Sequence, residues 1–218
     1  MSAGKAFVVA IDGPAAAGKG TLARRLAERL GFAHLDSGKL YRAVAHAAIL
    51  HGVDPGDGPA TAALAAALDP SRLDDPALKT EAVSKAASQV AAHPQVRSAL
   101  LEFQRRFAAS PPGKEGAVVD GRDIGTVVCP HAPAKLFVTA SVEERARRRH
   151  AELRERGEEA IYSDVLEELR ARDRRDTERA VAPLAQAKDA YVLDTTDLDA
   201  DAAFAAALAF VVGRRARG

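Results

Sequence analysis

The sequence predicts an α/β protein built on a five-stranded parallel sheet with helices on both faces. Five short apolar segments, each ending in small or acidic residues, alternate with stretches of helical periodicity, the pattern of a parallel sheet. The first segment breaks into Gly13-Pro14-Ala15-Ala16-Ala17-Gly18-Lys19-Gly20-Thr21, a glycine-rich loop that opens an amphipathic helix. At 218 residues and 47% hydrophobic the chain can bury one full core, so a single domain is expected.

The first strand is Ala6–Ile11. In the loop after it, Gly13 and Gly18 let the backbone curl so that successive N–H groups point inward, and Lys19 adds positive charge beside the β/γ-phosphates of a nucleotide. The helix Leu22–Leu30 contributes its positive N-terminal end. Asp12, Gly13, Pro14, Ala15, Ala16, Ala17, Gly18, Lys19, Gly20 and Thr21 are therefore the candidate ATP-binding residues. The general motif places Ser or Thr directly after the Lys to ligate Mg²⁺, whereas here Gly20 intervenes. Mg²⁺ is accordingly expected to bind less directly to the protein.

The second strand, Phe32–Leu35, ends in Asp36-Ser37-Gly38, with Arg42 one helical turn further on. Residues 54–80 are rich in Asp, Pro and Ala: Asp54–Pro59 reads as a loop and Ala60–Leu68 as a short helix, together an insertion or substrate-binding flap. The third strand, Ala117–Val119, runs into Asp120-Gly121-Arg122-Asp123. The fourth, Lys135–Thr139, precedes Ala140-Ser141, and the fifth, Tyr191–Leu193, precedes Asp194-Thr195-Thr196. Ligands of such sheets bind at the carboxyl ends of the strands, so these turns bound the expected site.

Between the fourth and fifth strands, Glu143–Arg179 carries eleven Arg against twelve Asp plus Glu. Many stand at i,i+4, such as Glu143/Arg147, Glu144/Arg148 and Glu152/Arg156, which reads as a solvent-facing, salt-bridged helical pair. Arg172, Asp176 and Arg179 share one helix face, with Arg175 beside them. That face suits either a grip on a ribose and phosphates or one more surface ladder. Ala202–Val212 reads as a C-terminal amphipathic helix followed by a frayed basic tail, Arg214-Arg215-Ala216-Arg217.

Composition excludes several functions. A net charge of +1 gives no general attraction to nucleic acid or to anionic membranes. No apolar stretch approaches the length of a membrane span, and too few apolar residues precede Asp12 for a secretory signal. The single Cys129 excludes an internal disulfide framework, and beside Pro130 it reads as a small apolar filler in a protein of a reducing cytoplasm. The chain has no Asn, so it lacks the Asn-Lys-x-Asp element with which a GTPase switch commonly reads guanine.

Taken end to end, the chain resembles the bacterial cytidylate kinases. The resemblance rests on Ile11-Asp12-Gly13-Pro14 through Gly18-Lys19-Gly20-Thr21, on Leu35-Asp36-Ser37-Gly38 with Tyr41-Arg42, and on Ala86-Ala87-Ser88-Gln89-Val90-Ala91 with Arg97. It continues through Asp120-Gly121-Arg122-Asp123-Ile124-Gly125-Thr126-Val127-Val128, Glu144-Arg145-Ala146 with Arg148-Arg149, Arg172-Asp173, Asp176, Arg179-Ala180-Val181-Ala182-Pro183 and Leu193-Asp194-Thr195-Thr196. It implies a three-layer P-loop kinase fold with a core of 1–50, 115–145 and 185–218, a CMP-binding region of about 51–110 and a helical lid of about 146–165. Another small-molecule kinase of this fold, for adenylate or shikimate, is disfavoured by Ser88 with Arg97 and by the Asp120–Asp123 turn.

By the same resemblance, Ser37, Arg42 and Arg122 grip the acceptor phosphate, while Ser88, Arg97 and Asp123 read cytosine. Arg172 and Asp176 hold the ribose, and Arg179 lies between substrate and transferring phosphate. Lys19, Arg122, Arg149 and Arg179 are the implied catalytic cations, Arg148 and Arg149 belong to the lid, and Asp120 orients a Mg²⁺-bound water. The implied substrates are ATP with Mg²⁺, and CMP or dCMP. No resident metal, nucleic-acid partner or membrane is implied, and a cytoplasmic monomer is expected. The sequence departs from the pattern between His51 and Ser88, where it is about a dozen residues shorter and lacks the family's β-rich stretch, so the CMP-binding insertion is shortened.

Overall fold

The computed structural model describes residues 6–217. All five expected strands form: β1 (Phe7–Asp12), β2 (Ala33–Asp36), β3 (Gly116–Gly121), β4 (Ala134–Thr139) and β5 (Tyr191–Asp194). They make one parallel sheet in the order β2-β3-β1-β4-β5. The strands outrun their apolar segments, because ladder pairing continues through the acids: Asp12 pairs with Gly121, Asp36 with Asp120, and Thr139 with Asp194. The acids expected in turns just beyond the sheet are thus fixed on its carboxyl edge.

Side-chain alternation splits the core between the two faces. Val9, Ile11, Val118, Leu136, Val138 and Leu193 pack with Leu22 and Leu26 of α1 (Lys19–Leu30) and Ala207 and Val211 of α8 (Ala200–Arg215). Ala10, Leu35, Ala117 and Val119 face the other way, against Ala108 of α5 (Pro94–Ala109) and against Ile124 and Val128 of a π-helical turn. Fully buried Leu26 alone contributes about 2–3 kcal/mol of transfer free energy.

A separate core lies among α2 (Ser37–Leu50), α3 (Gly58–Ala66), α4 (Glu81–Val90) and α5, where Leu40, Val44, Val83, Val90, Val96 and Leu100 meet. The short helix expected at 60–68 forms two residues early, because the Asp57 carboxylate accepts from Ala60 N–H and Pro59 occupies the first turn. Two 3₁₀ turns, Pro70–Arg72 and Pro76–Lys79, lead to α4, and among the described residues no strand occurs between β2 and β3.

Helices α6 (Val142–Glu155) and α7 (Tyr162–Glu178) pack Ala146, Leu153, Val165 and Leu169 against Ala15 of the loop. Glu144/Arg148 (2.9 Å) and Glu152/Arg156 pair as expected. Glu143/Arg147 does not: Glu143 reaches across to Arg170 of α7 at 3.1 Å, and Arg147 turns to Glu144. Nor is the run wholly solvent-facing. Buried Arg145 donates to the carbonyls of Ala140 (3.0 Å) and Ala15 (3.3 Å) and forms a bidentate pair with Asp173. The tail expected to fray is helical through Arg215, with Arg214 Nε donating to the Pro133 carbonyl at 2.8 Å. Among the described residues no helix is long and apolar enough to cross a membrane.

Candidate active site

The glycine-rich loop leaves the central strand at the carboxyl edge of the sheet. Gly13 has φ 150°, and a Cβ there would lie 1.9 Å from the Val138 carbonyl oxygen of β4, so only glycine fits. Gly18, at φ 83°, caps α1. Between them the loop divides in two. Ala15, Ala16, Gly18, Lys19, Gly20 and Thr21 line a cavity of about 510 Å³, whereas Asp12, Gly13, Pro14 and Ala17 do not. Both Asp12 carboxylate oxygens are consumed by the N–H groups of Ile124 and Gly125, each at 2.7 Å. These bonds tie β1 to the turn after β3, and burial pushes the Asp12 pKa up to about 6. Ala17 belongs to the core, and the Pro14 carbonyl accepts from Lys19 Nζ at 3.2 Å.

The same cavity gathers every acceptor residue read from the sequence. Ser37, Arg42, Ser88, Arg97, Arg122, Asp123, Arg172, Asp176 and Arg179 all line the same cavity, as do Arg148 and Arg149. At its deep end the buried Arg97 guanidinium pairs with Asp123 at 2.5 Å, donates to the Ala91 carbonyl at 3.2 Å and sits 5.4 Å above the Tyr41 ring. Arg179 lies just past α7 rather than on it. Its Nε donates to the Ala182 carbonyl at 2.6 Å, which turns the guanidinium to within 3.7 Å of Asp123. Arg122 donates from Nε to Asp176 at 2.8 Å, and Arg42 to Asp36 at 2.6 Å. Ser37 gives its hydroxyl hydrogen to the Asp120 carbonyl at 2.8 Å.

Arg149 is held between Glu81 of α4 and Glu152. Arg148 reaches the Thr195 hydroxyl at 3.0 Å and carbonyl at 2.6 Å, which fastens α6 to the turn after β5 beside the loop. Asp120, 3% exposed, accepts from His34 at 2.8 Å with one oxygen, while the other faces Gly20 of the loop.

Eight basic and five acidic side chains line the cavity. Burial, with Arg122 close by, lowers the Lys19 pKa to about 7 and that of Arg172 to about 10. Burial opposes ionisation of Asp36 and Asp176 as well, but Arg42 outweighs it at the first and Arg122 and Arg172 at the second, so both carboxylates stay below their usual range. Arg172 Nε and Arg179 Nη2 are buried without a hydrogen-bond partner. Buried guanidinium donors are costly unless an anion accepts from them.

The family model described as cytidylate kinase matches residues 9–211. The chain is 61% identical over 208 residues to a curated cytidylate kinase of Paramagnetospirillum magneticum, an alignment covering 95% of this chain and 99% of that protein. It is 60% identical over 203 residues to the cytidylate kinase of Rhodospirillum rubrum, covering 93% of this chain and 95% of that one. The chain belongs to the cytidylate kinase family. With it the chain joins the nucleoside monophosphate kinases. The crystal structure of an uncharacterized protein from Eubacterium ventriosum shares the fold, with a TM-score of 0.55 at 13% identity over 94% of this chain and 98% of that one.

Several residues of this cytidylate kinase site escaped sequence reasoning. Tyr41 appeared only as a motif neighbour of Arg42, and Asp36 only as a strand terminator, yet both line the cavity. Arg175 was read as a bystander of the Arg172 face, but its Nε donates to Ser88 Oγ at 3.2 Å. No local signal announces that contact, since Ser88 and Arg175 lie 87 residues apart.

Proposed function

We propose that the protein transfers the γ-phosphoryl group of ATP to CMP and dCMP, giving CDP or dCDP and ADP. The observation that carries this reading is one cavity with two chemistries. Lys19 and the loop line it, and so do the Arg97–Asp123 pair with Ser88, together with Arg42, Arg122, Arg172 and Arg179. That layout suits a donor triphosphate, an in-line transfer zone and a pyrimidine pocket in succession.

In the reaction an acceptor phosphate oxygen forms a bond to the γ-phosphorus as the bond to the β,γ-bridging oxygen breaks, leaving ADP. The nucleophile is already anionic, so no general base is needed, and catalysis is positioning plus charge stabilisation. Ser37, Arg42 and Arg122 hold the acceptor phosphate, and Lys19, Arg149 and Arg179 answer the charge on the transferring group. Arg172 and Asp176 hold the ribose. Asp123 accepts from the cytosine N4 amino group while Arg97 and Ser88 answer its other edge. The segment of about 146–165 serves as a lid that excludes water from the transferring phosphate.

Mg²⁺ neutralises charge on the donor phosphates. Asp120, with an oxygen facing Gly20 of the loop, and Thr21, which lines the cavity, are the residues that would meet a metal carried by the nucleotide. ADP formation with ATP, Mg²⁺ and CMP, dCMP, UMP, AMP, GMP or shikimate tests the reading. Rapid turnover confined to CMP and dCMP, with UMP slow, is the expected result, and preference for AMP or a non-nucleotide would overturn the acceptor site.

A further inference from the structure

Ser88 stands between two cavities. It lines the large one with Arg97 and Asp123, and it also lines a small one of about 30 Å³ enclosed by α4, α6 and α7. Arg175, on the exposed side of α7, lines only the small cavity, where its Nε donates to Ser88 Oγ at 3.2 Å. Among the described residues this is the only hydrogen bond that the 5%-exposed hydroxyl makes. Two further contacts keep α7 against α4: Arg172 donates to Ser84 Oγ at 3.4 Å, and Lys85 pairs with Glu168 at 3.6 Å.

We propose that Arg175 is a specificity-determining positioning residue, which sets the direction of the Ser88 hydroxyl so that its hydrogen points at the pyrimidine. This rests on the reading of Ser88 as a base contact. A hydroxyl has one hydrogen and two acceptor lone pairs, and Arg, always charged, can only donate to it. With Arg175 holding one lone pair, the hydrogen is kept away from the guanidinium, and it and the second lone pair share the two remaining directions. Cytosine presents an acceptor at N3, which that hydrogen satisfies. Uracil presents N3–H, and the hydroxyl can accept it only with its second lone pair, which leaves its buried hydrogen in a direction where the described residues offer no acceptor. Arg175 touches neither nucleotide nor reacting atoms, yet it favours cytosine through Ser88. The Arg97–Asp123 pair supplies the rest of the discrimination and does not depend on Arg175.

The test is kcat/KM for CMP and for UMP in the wild type, Arg175→Met, Arg175→Lys, Ser88→Ala and the Ser88→Ala/Arg175→Met double variant. Arg175→Met should lower kcat/KM for CMP about tenfold and narrow the CMP-to-UMP ratio by about the same factor, the worth of one well-oriented hydrogen bond, with KM for ATP unchanged. Arg175→Lys, which keeps a charged donor, should restore part of the ratio. In the Ser88→Ala background the Arg175 change should add nothing. A ratio unchanged in Arg175→Met, or an equal further loss in the Ser88→Ala background, overturns the proposal. A wild type that does not prefer CMP over UMP overturns the base-reading assignment itself, and the proposal with it.

Discussion

Lys19 makes a proton part of ATP binding. Surrounded only by protein groups its pKa falls from 10.5 to about 7, because burial removes water and Arg122 stands nearby. At ~1.36 kcal/mol per unit this amounts to about 5 kcal/mol against the ammonium form. A triphosphate beside Lys19 reverses the balance and draws the proton back. At pH 8 roughly 0.9 proton should be taken up per ATP bound, and at pH 6 only about 0.1. Titration calorimetry of ATP-Mg²⁺ in two buffers of different ionisation enthalpy reads this number directly. At pH 8 Arg172 stays protonated with its pKa of about 10 and Asp12, at about 6, is already ionised, so neither obscures the signal there. Folding carries the same linkage. The unfolded chain holds the Lys19 proton up to 10.5 and the folded protein releases it at about 7, so this group makes stability rise with pH between those values. Lys19→Met should therefore abolish turnover and proton uptake while melting higher than wild type at pH 6. Heats independent of buffer at pH 8, or uptake that persists in Lys19→Met, would refute the reasoning.

Gly13→Ala forces a Cβ to 1.9 Å from the Val138 carbonyl and should cost more than about 3 kcal/mol, lowering Tm by roughly 6–12 °C; a shift under about 2 °C would show that the loop can move off β4. Asp123→Asn leaves the buried Arg97 facing a neutral partner and should cost about 3–5 kcal/mol in denaturant unfolding. Arg97→Leu with Asp123→Leu should regain most of that stability but no CMP turnover, and equal loss of stability in single and double variants would contradict the pairing. Burial, with Asp12 nearby, pushes the Cys129 thiol up to about 11, so at pH 8 only ~0.1% is thiolate and iodoacetamide should label it far more slowly than a free thiol; labelling at the free-thiol rate would place it in another environment.

The fold was legible because its determinants are local and periodic. Five apolar runs gave five strands, and Gly13 and Gly18 marked the loop because only glycine tolerates the backbone found there. The strand ends were misjudged for a physical reason: Asp36 and Asp120 look like terminators but pair with each other across the β2–β3 ladder. The partners of Asp12 were hidden likewise, since nothing near it in sequence reveals that Ile124 and Gly125, more than a hundred residues away, donate to both its oxygens. Contacts between α4 and α7, such as Arg175 to Ser88, were invisible because their spacing encodes no periodicity. The acceptor set was read through the motifs of a family, not through any rule of spacing, and what the structure adds is that its members line one cavity.

The acids of the cavity explain how a chain of net charge +1 can handle two polyanions. Arg42 already donates to Asp36, Arg122 to Asp176, and Arg97 to Asp123. Each carboxylate fixes a guanidinium in place, so the donors need not reorganise when phosphate charge moves among them. Each also cancels charge at long range, so the positive potential falls off within the cavity and a nucleic-acid backbone sliding past meets little attraction. Among the described residues, Arg172 Nε and Arg179 Nη2 are buried without a hydrogen bond, although Arg179 Nη2 lies 3.7 Å from Asp123, so both remain free to donate to a bound anion. Affinity for the acceptor should thus depend on fitting a compact phosphate among fixed donors. Raising salt should weaken CMP binding far less steeply than it weakens a protein that binds by releasing counterions from a phosphate backbone.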